Sequence, residues 1–174
     1  MTDTAVFSRR FDGLEVGARF ATRGRTVTES DLVSFSALTG DWHPQHANAA
    51  WAASSQFGER IAHGMLVVSY ALGQIGFHPE RVLALRRLTK VTFKRPVRIG
   101  DTISVDGKIA GLRPLDSETG LATCSMSICN QDGAVVVRVE LEVLWRRDVA
   151  EPATDREAYM GTQGEAPPTI LAPV

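Results

Sequence analysis

A chain of 174 residues is long enough for one domain with a substantial core and too short to expect two. With 44% hydrophobic and 22% charged residues the composition is that of a soluble globular protein, and a formal net charge of −1 excludes the basic surplus expected of a nucleic-acid-binding domain. The opening MTDTAVFSRRFDG has no apolar run behind its charges, so it does not read as a secretory signal. The longest apolar run, Met65 to Leu72, is far below a membrane span. The two cysteines, Cys124 and Cys129, fall on opposite faces of one expected strand, which argues against a disulfide between them and makes a reducing cytoplasm the simplest compartment.

In chain order, Leu14 to Thr26 reads as a leading segment with a short strand. Thr28 can cap a helix over Glu29 to Leu38, with Asp31 in its first turn and an apolar stripe of Leu32, Val33, Phe35 and Leu38. Gly40 ends that helix. A loop is expected over Asp41 to Ala47, with Pro44 forbidding helix through it. Asn48 can cap a second short helix, Ala49 to Ser55, and Phe57 to Ala62 connects onward.

The segment His63 to Phe77 is apolar on nearly every side, which predicts a helix buried all round. Gly64, Gly73 and Gly76 weaken it and make sense if another element presses close. Four strands follow, Arg87 to Arg95, Asp101 to Leu112, Leu121 to Cys129 and Ala134 to Arg146. The last two are joined by an Asn130–Gly133 turn. The final strand alternates Val135, Val137, Val139, Leu141, Val143 and Trp145 against Arg138, Glu140 and Glu142. One buried and one wet face suggest an antiparallel meander. Helices followed by strands predict an α+β domain over 1–148, its sheet curled around the apolar helix. The Pro-, Thr-, Gly- and Glu-rich 149–174 reads as an extended or disordered tail.

Candidate chemistry concentrates in LTGDWHPQHANAAWAASSQFGERIAHGM, Leu38 to Met65. Asp41 and His46 share a loop stiffened by Pro44, so both side chains can converge on one small volume. A carboxylate there raises the imidazole pKa and lets the pair pass protons near neutrality. The plainer alternative makes Asp41 a turn cap and His46 a surface or core histidine. Gly64 opens the apolar helix, where free N–H groups and the positive dipole end favour a developing negative charge. Its amide is an oxyanion-hole candidate, or the glycine serves close packing.

The same segment resembles the signature of the MaoC-like, or hydratase 2, family of (R)-specific enoyl-thioester hydratases and dehydratases. That signature has an Asp-x-Asn-Pro-x-His motif followed by Ile-x-His-Gly-Met at about this distance. FKRPVRIGD, Phe93 to Asp101, is similar to the family's Phe-x-x-Pro-Val-x-x-Gly-Asp element. The resemblance covers Leu14 to Arg146 and implies a hot-dog fold, an antiparallel sheet wrapped around one long helix. It implies that Asp41 and His46 activate a water for attack on the β-carbon of a trans-2-enoyl thioester, and that the Gly64 N–H polarises the thioester carbonyl. His43 stands where the family usually has Asn, and Asn48 where Asp is common; His43 is expected near the catalytic pair and bears on substrate choice.

His63, Met65 and Ser69 are further candidates for binding substrate. The pattern Asp41, His43, His46 (D-x-H-x-x-H) can also hold a metal. The resemblance explains two of the three without one, so no metal and no cofactor is assigned. The basic stretch Arg86, Arg87, Lys90, Lys94, Arg95, Arg98 can meet coenzyme A phosphates or an acidic acyl carrier protein. The resemblance also implies at least a homodimer, while the near-neutral charge and the short apolar run leave no nucleic-acid or membrane partner expected. A hot-dog thioesterase and a non-catalytic acyl-binding partner subunit are the alternatives.

Overall fold

The computed structural model describes residues 4–147. Two 3-10 turns, Ala5–Ser8 and Phe11–Gly13, precede two short strands, β1 (Arg19–Ala21) and β2 (Arg25–Thr26). Four helices follow, α1 (Glu29–Thr39), α2 (Pro44–Ala47), α3 (Ala49–Ala53) and α4 (Gly64–Ile75). The strands β3 (Val82–Phe93), β4 (Thr102–Pro114), β5 (Thr119–Cys129) and β6 (Val135–Arg146) complete the α+β domain. The tail expected over 149–174 lies outside the described residues. Within them no helix is long and apolar enough to cross a membrane.

Helix α1 starts where its sequence says it should. Thr28 accepts from the Asp31 N–H at 3.3 Å and Asp31 accepts from the Thr28 N–H at 2.8 Å, a reciprocal capping box. Asp31 has two further partners. The Tyr70 hydroxyl of α4 donates to it, and the Arg25 guanidinium of β2 pairs with it at 3.3 Å while lying 3.5 Å over the Tyr70 ring. Partial burial pushes the Asp31 carboxyl up, but the Tyr70, Thr28 and Arg25 donors outweigh it and hold it below the usual carboxylate range. Gly40 ends the helix in the left-handed conformation, φ 77°.

The expected loop over Asp41 to Ala47 contains a helix after all. Pro44 occupies the first position of α2, where its missing N–H is no loss and its fixed φ suits the turn. His43 is its N-cap, and Asn48, as expected, caps α3 through the Trp51 N–H.

The sheet is antiparallel throughout, in the order β1-β4-β5-β6-β3, with β2 beside β4. Strands β4, β5 and β6 form the expected meander, but β3 does not open it. It pairs with β6 from Val82↔Trp145 to Phe93↔Val137, so the chain after β3 crosses to the other side of β5 and β6. It also begins at Val82, five residues before the expected Arg87. Strands β4, β5 and β6 alternate as read, whereas β3, broken by register shifts, does not. Cys124, Met126 and Ile128 of β5 and Val137, Val139, Leu141, Val143 and Trp145 of β6 are buried, and they join Leu66, Val67, Val68, Ala71 and Ile75 of α4 in one core.

Helix α4 is not buried all round in the single chain. Met65, Ser69 and Gly73 form an exposed stripe at a spacing of four, because the sheet covers only the opposite side. The glycines divide accordingly. Gly64 is pressed by another element, since a Cβ there would lie 2.6 Å from Phe93 Cε1. Gly73 faces open space, and Gly76 is the left-handed C-cap. Both cysteines are free thiols. Burial pushes Cys124 up to about 12, and Cys129 is raised by burial and by Asp106.

Candidate active site

The turn after α1 fixes the carboxylate. The Asp41 N–H donates to Thr39 Oγ1 at 3.3 Å, and Asp41 Oδ1 accepts the His43 N–H at 3.1 Å, an Asx turn that ties down one carboxylate oxygen. His43 folds back on its own helix start, its Nδ1 accepting the Gln45 N–H at 3.2 Å. Its ring meets Trp51 edge-on at 5.7 Å.

His46, on α2, has a defined proton position. Its Nδ1 lies 2.7 Å from the Ile61 carbonyl, which can only accept, so Nδ1 carries the proton and Nε2 of the neutral ring presents a lone pair. Ile61 is itself anchored by a bridge to Arg98 and by its N–H donating to the Gln45 carbonyl at 3.3 Å. The His46 pKa is lowered, against the rise expected from a neighbouring carboxylate. Burial dominates; the Ile61 carbonyl and Asp41 pull the other way, while His63 and His43 add to the lowering. The imidazole is therefore a base at neutral pH.

His63 caps the start of α4 without a side-chain bond to the helix and is 3% exposed. Its Nε2 lies 3.1 Å from the Asp41 carbonyl and 3.2 Å from Ser36 Oγ. Its ring stacks on His46 with centroids 3.8 Å apart and planes at 27°. Asp41, His46 and His63 thus bring a carboxylate oxygen and two ring nitrogens within 4.8 Å of one another. Nδ1 of His46 and Nε2 of His63 are already engaged by the Ile61 and Asp41 carbonyls, which leaves one ring nitrogen on each uncommitted. His43, the middle member of D-x-H-x-x-H, is not part of this trio.

Two cavities, each of about 350 Å³, meet at His46, Gly64 and Phe93. One is apolar, walled by Phe57, Ile61, Val67, Val97 and Val137, with Lys94 and Arg95 also at its edge. The other holds Asp41, His63, Thr39, Phe35 and Met65. The Phe93 ring, half-exposed, stands on Gly64 as the partition between them. Ser69, on the exposed stripe of α4, and His43 line neither cavity. Most of the basic stretch is paired, Arg86 and Arg87 with Glu142, Lys90 with Glu140 and Arg98 with Glu59. Lys94 and Arg95 are the members that reach the cavity. Sequence reasoning assigned no part to the Ile61 carbonyl, Ser36 or the Phe93 ring. Ile61 and Phe93 both stood inside the quoted motifs, but their contacts join segments distant in the chain.

A carboxylate and an unprotonated imidazole nitrogen, set beside a helix start on a sheet-backed domain, define a site that can activate water. Residues 13–127 match the family model described as MaoC like domain, and the chain belongs to that family. It is 32% identical over 149 residues to a 3-hydroxybutyryl-CoA dehydratase of Methylorubrum extorquens, covering 84% of this chain and 90% of that protein. It is also 32% identical over 134 residues to an (R)-specific enoyl-CoA hydratase of Rhodospirillum rubrum, covering 77% and 90%. A solved Mycobacterium tuberculosis protein with a double hotdog fold superposes at TM-score 0.75 and 22% identity, over 95% of this chain and 53% of that one. The fold is the hot-dog fold.

Proposed function

We propose that the protein hydrates trans-2-enoyl thioesters with (R) specificity, or dehydrates the corresponding 3-hydroxyacyl thioesters. The observation that carries this reading is the closeness of the Asp41 carboxylate to a ring nitrogen of His46, within 4.8 Å, beside a start of α4 that no side chain caps. A water there donates one proton to His46 Nε2 as its oxygen bonds to the β-carbon. The Gly64 N–H donates to the thioester oxygen, which takes up the negative charge, and the proton taken from water is returned by the Asp41–His46 pair to the α-carbon on the same side as the charge collapses. Asp41 and His46 exchange protons as a coupled pair.

The apolar cavity suits the acyl chain, and Lys94 and Arg95 suit the phosphates of coenzyme A or of a carrier-protein thioester. The exposed stripe Met65, Ser69, Gly73 and the exposed Leu83 and Leu85 of the edge strand β3 support a homodimer. Two free thiols suit a cytoplasmic location.

The test is a panel of crotonyl, octenoyl and branched enoyl thioesters on both carriers. Hydration is expected as loss of enoyl absorbance without release of free thiol. Thiol release in step with that loss identifies a thioesterase instead, and binding without turnover identifies an acyl-binding subunit.

A further inference from the structure

The stacked pair His46 and His63 carries more than the reaction requires. His63 touches three parts of the site at once. Its Nε2 bonds the main chain of Asp41, its ring lies against His46, and it immediately precedes Gly64 at the start of α4. In the neutral ring the proton resides on Nε2, because the Asp41 carbonyl can only accept. That leaves His63 Nδ1 buried with no hydrogen-bond partner. An acceptor buried without a partner destabilises the fold. A residue needed only to fill this space would be apolar, so the imidazole has to supply something else.

We propose that His63 is a positioning residue: its ring and its bond to Asp41 hold the His46 imidazole in place, with Nδ1 on the Ile61 carbonyl. The inference rests on the hydratase reading of the same site and deepens it. His46 is then clamped edge and face, by a carbonyl from the connector and by a ring from α4. The charged and titratable groups facing His46 are Asp41 from the turn after α1, His43 from its own helix and His63 from α4. Lys94 and Arg95, following β3, border the same cavity.

The experiment compares the whole chain with His63→Gln, His63→Phe and Ser36→Ala. It uses ¹⁵N-imidazole NMR to read the tautomer and titration midpoint of His46, alongside kcat, KM and the pH profile with crotonyl thioester. His63→Gln retains an amide that can donate to Asp41 but removes the ring. It is expected to lower kcat by on the order of 10²-fold with little change in KM, to mix the His46 tautomers, and to move the His46 midpoint up toward the ordinary histidine value. His63→Phe retains a stacked ring and is expected to preserve the midpoint better than His63→Gln. Ser36→Ala is expected to leave it in place. If every folded variant keeps the wild-type tautomer and midpoint, and only Tm falls, His63 is packing and the proposal is overturned. The NMR readings need no turnover, so a wild-type protein that hydrates nothing would sink the hydratase reading while leaving this inference separately decided.

Discussion

The two long helices begin in opposite ways. At α1 the start is closed, because Thr28 and Asp31 satisfy each other's backbone donors and Asp31 also receives Tyr70. At α4 no side chain caps the helix; His63 turns away to bond Asp41, and the first turn opens onto two cavities. The partial positive charge of a helix start exists at both. The first is spent on holding the fold, and the second is open to the cavities, where the proposed reaction would place the thioester oxygen.

The strongest way to break this contrast is to remove the groups that give the open start something to act on. Asp41→Asn and His46→Gln are each expected to lower hydration by about 10²–10⁴-fold. Asp41 is exposed, so Asp41→Asn should leave Tm near wild type. Loss of enoyl absorbance and a thermal melt measure both, and near-normal rates in the two variants would remove the catalytic assignment.

Gly64→Ala addresses the open end itself. Its methyl would lie 2.6 Å from Phe93 Cε1, and the expected cost is about 1–3 kcal/mol of stability. A fall in rate should accompany it, because the added methyl crowds the approach to an N–H that alanine itself retains. Adding Phe93→Ala is expected to restore the stability but not the rate. Recovery of both would make Gly64 a close-packing glycine and nothing more.

The pH dependence sharpens the same picture. With its pKa held below 6.5 by burial, His46 is a free base at pH 7, so the hydration rate should be flat near neutrality and fall only as pH drops below the ordinary histidine range. The stability sign follows from the same shift. Just below 6.5 the unfolded chain binds the proton that folded His46 refuses, so this contribution to stability declines as pH falls through that window. A rate limb at or above 6.5 would contradict it. The smallest effect is expected at the closed end. Thr28→Ala should cost about 1 kcal/mol in denaturant unfolding and leave kcat unchanged.

What could be read in advance was whatever repeats at short range. The period of two in β6, the cap at Thr28, the glycine stop at Gly40 and the motif placing Asp41, His46 and Gly64 are all local patterns. What escaped depends on distant partners. Strand β3 lies beside β6 because of a crossing that no alternation encodes. Pro44 was taken as a breaker when its place at the first helical position made it a starter. His46 was expected to titrate high beside Asp41, but burial against α4 and the connector outweighs the carboxylate. Its tautomer depends on the Ile61 carbonyl, which carries no side-chain signature at all.

Asp31 has a consequence for acid tolerance. A single anionic side chain joins the start of α1, the middle of α4 and the guanidinium of β2. Because its folded pKa lies below 3.8, the stability it contributes is present above that value and disappears as pH falls through the folded one. One proton then unfastens three elements together. Souring the solution should loosen this corner of the molecule as a unit, while the apolar faces of β4, β5 and β6, buried in the core, stay packed.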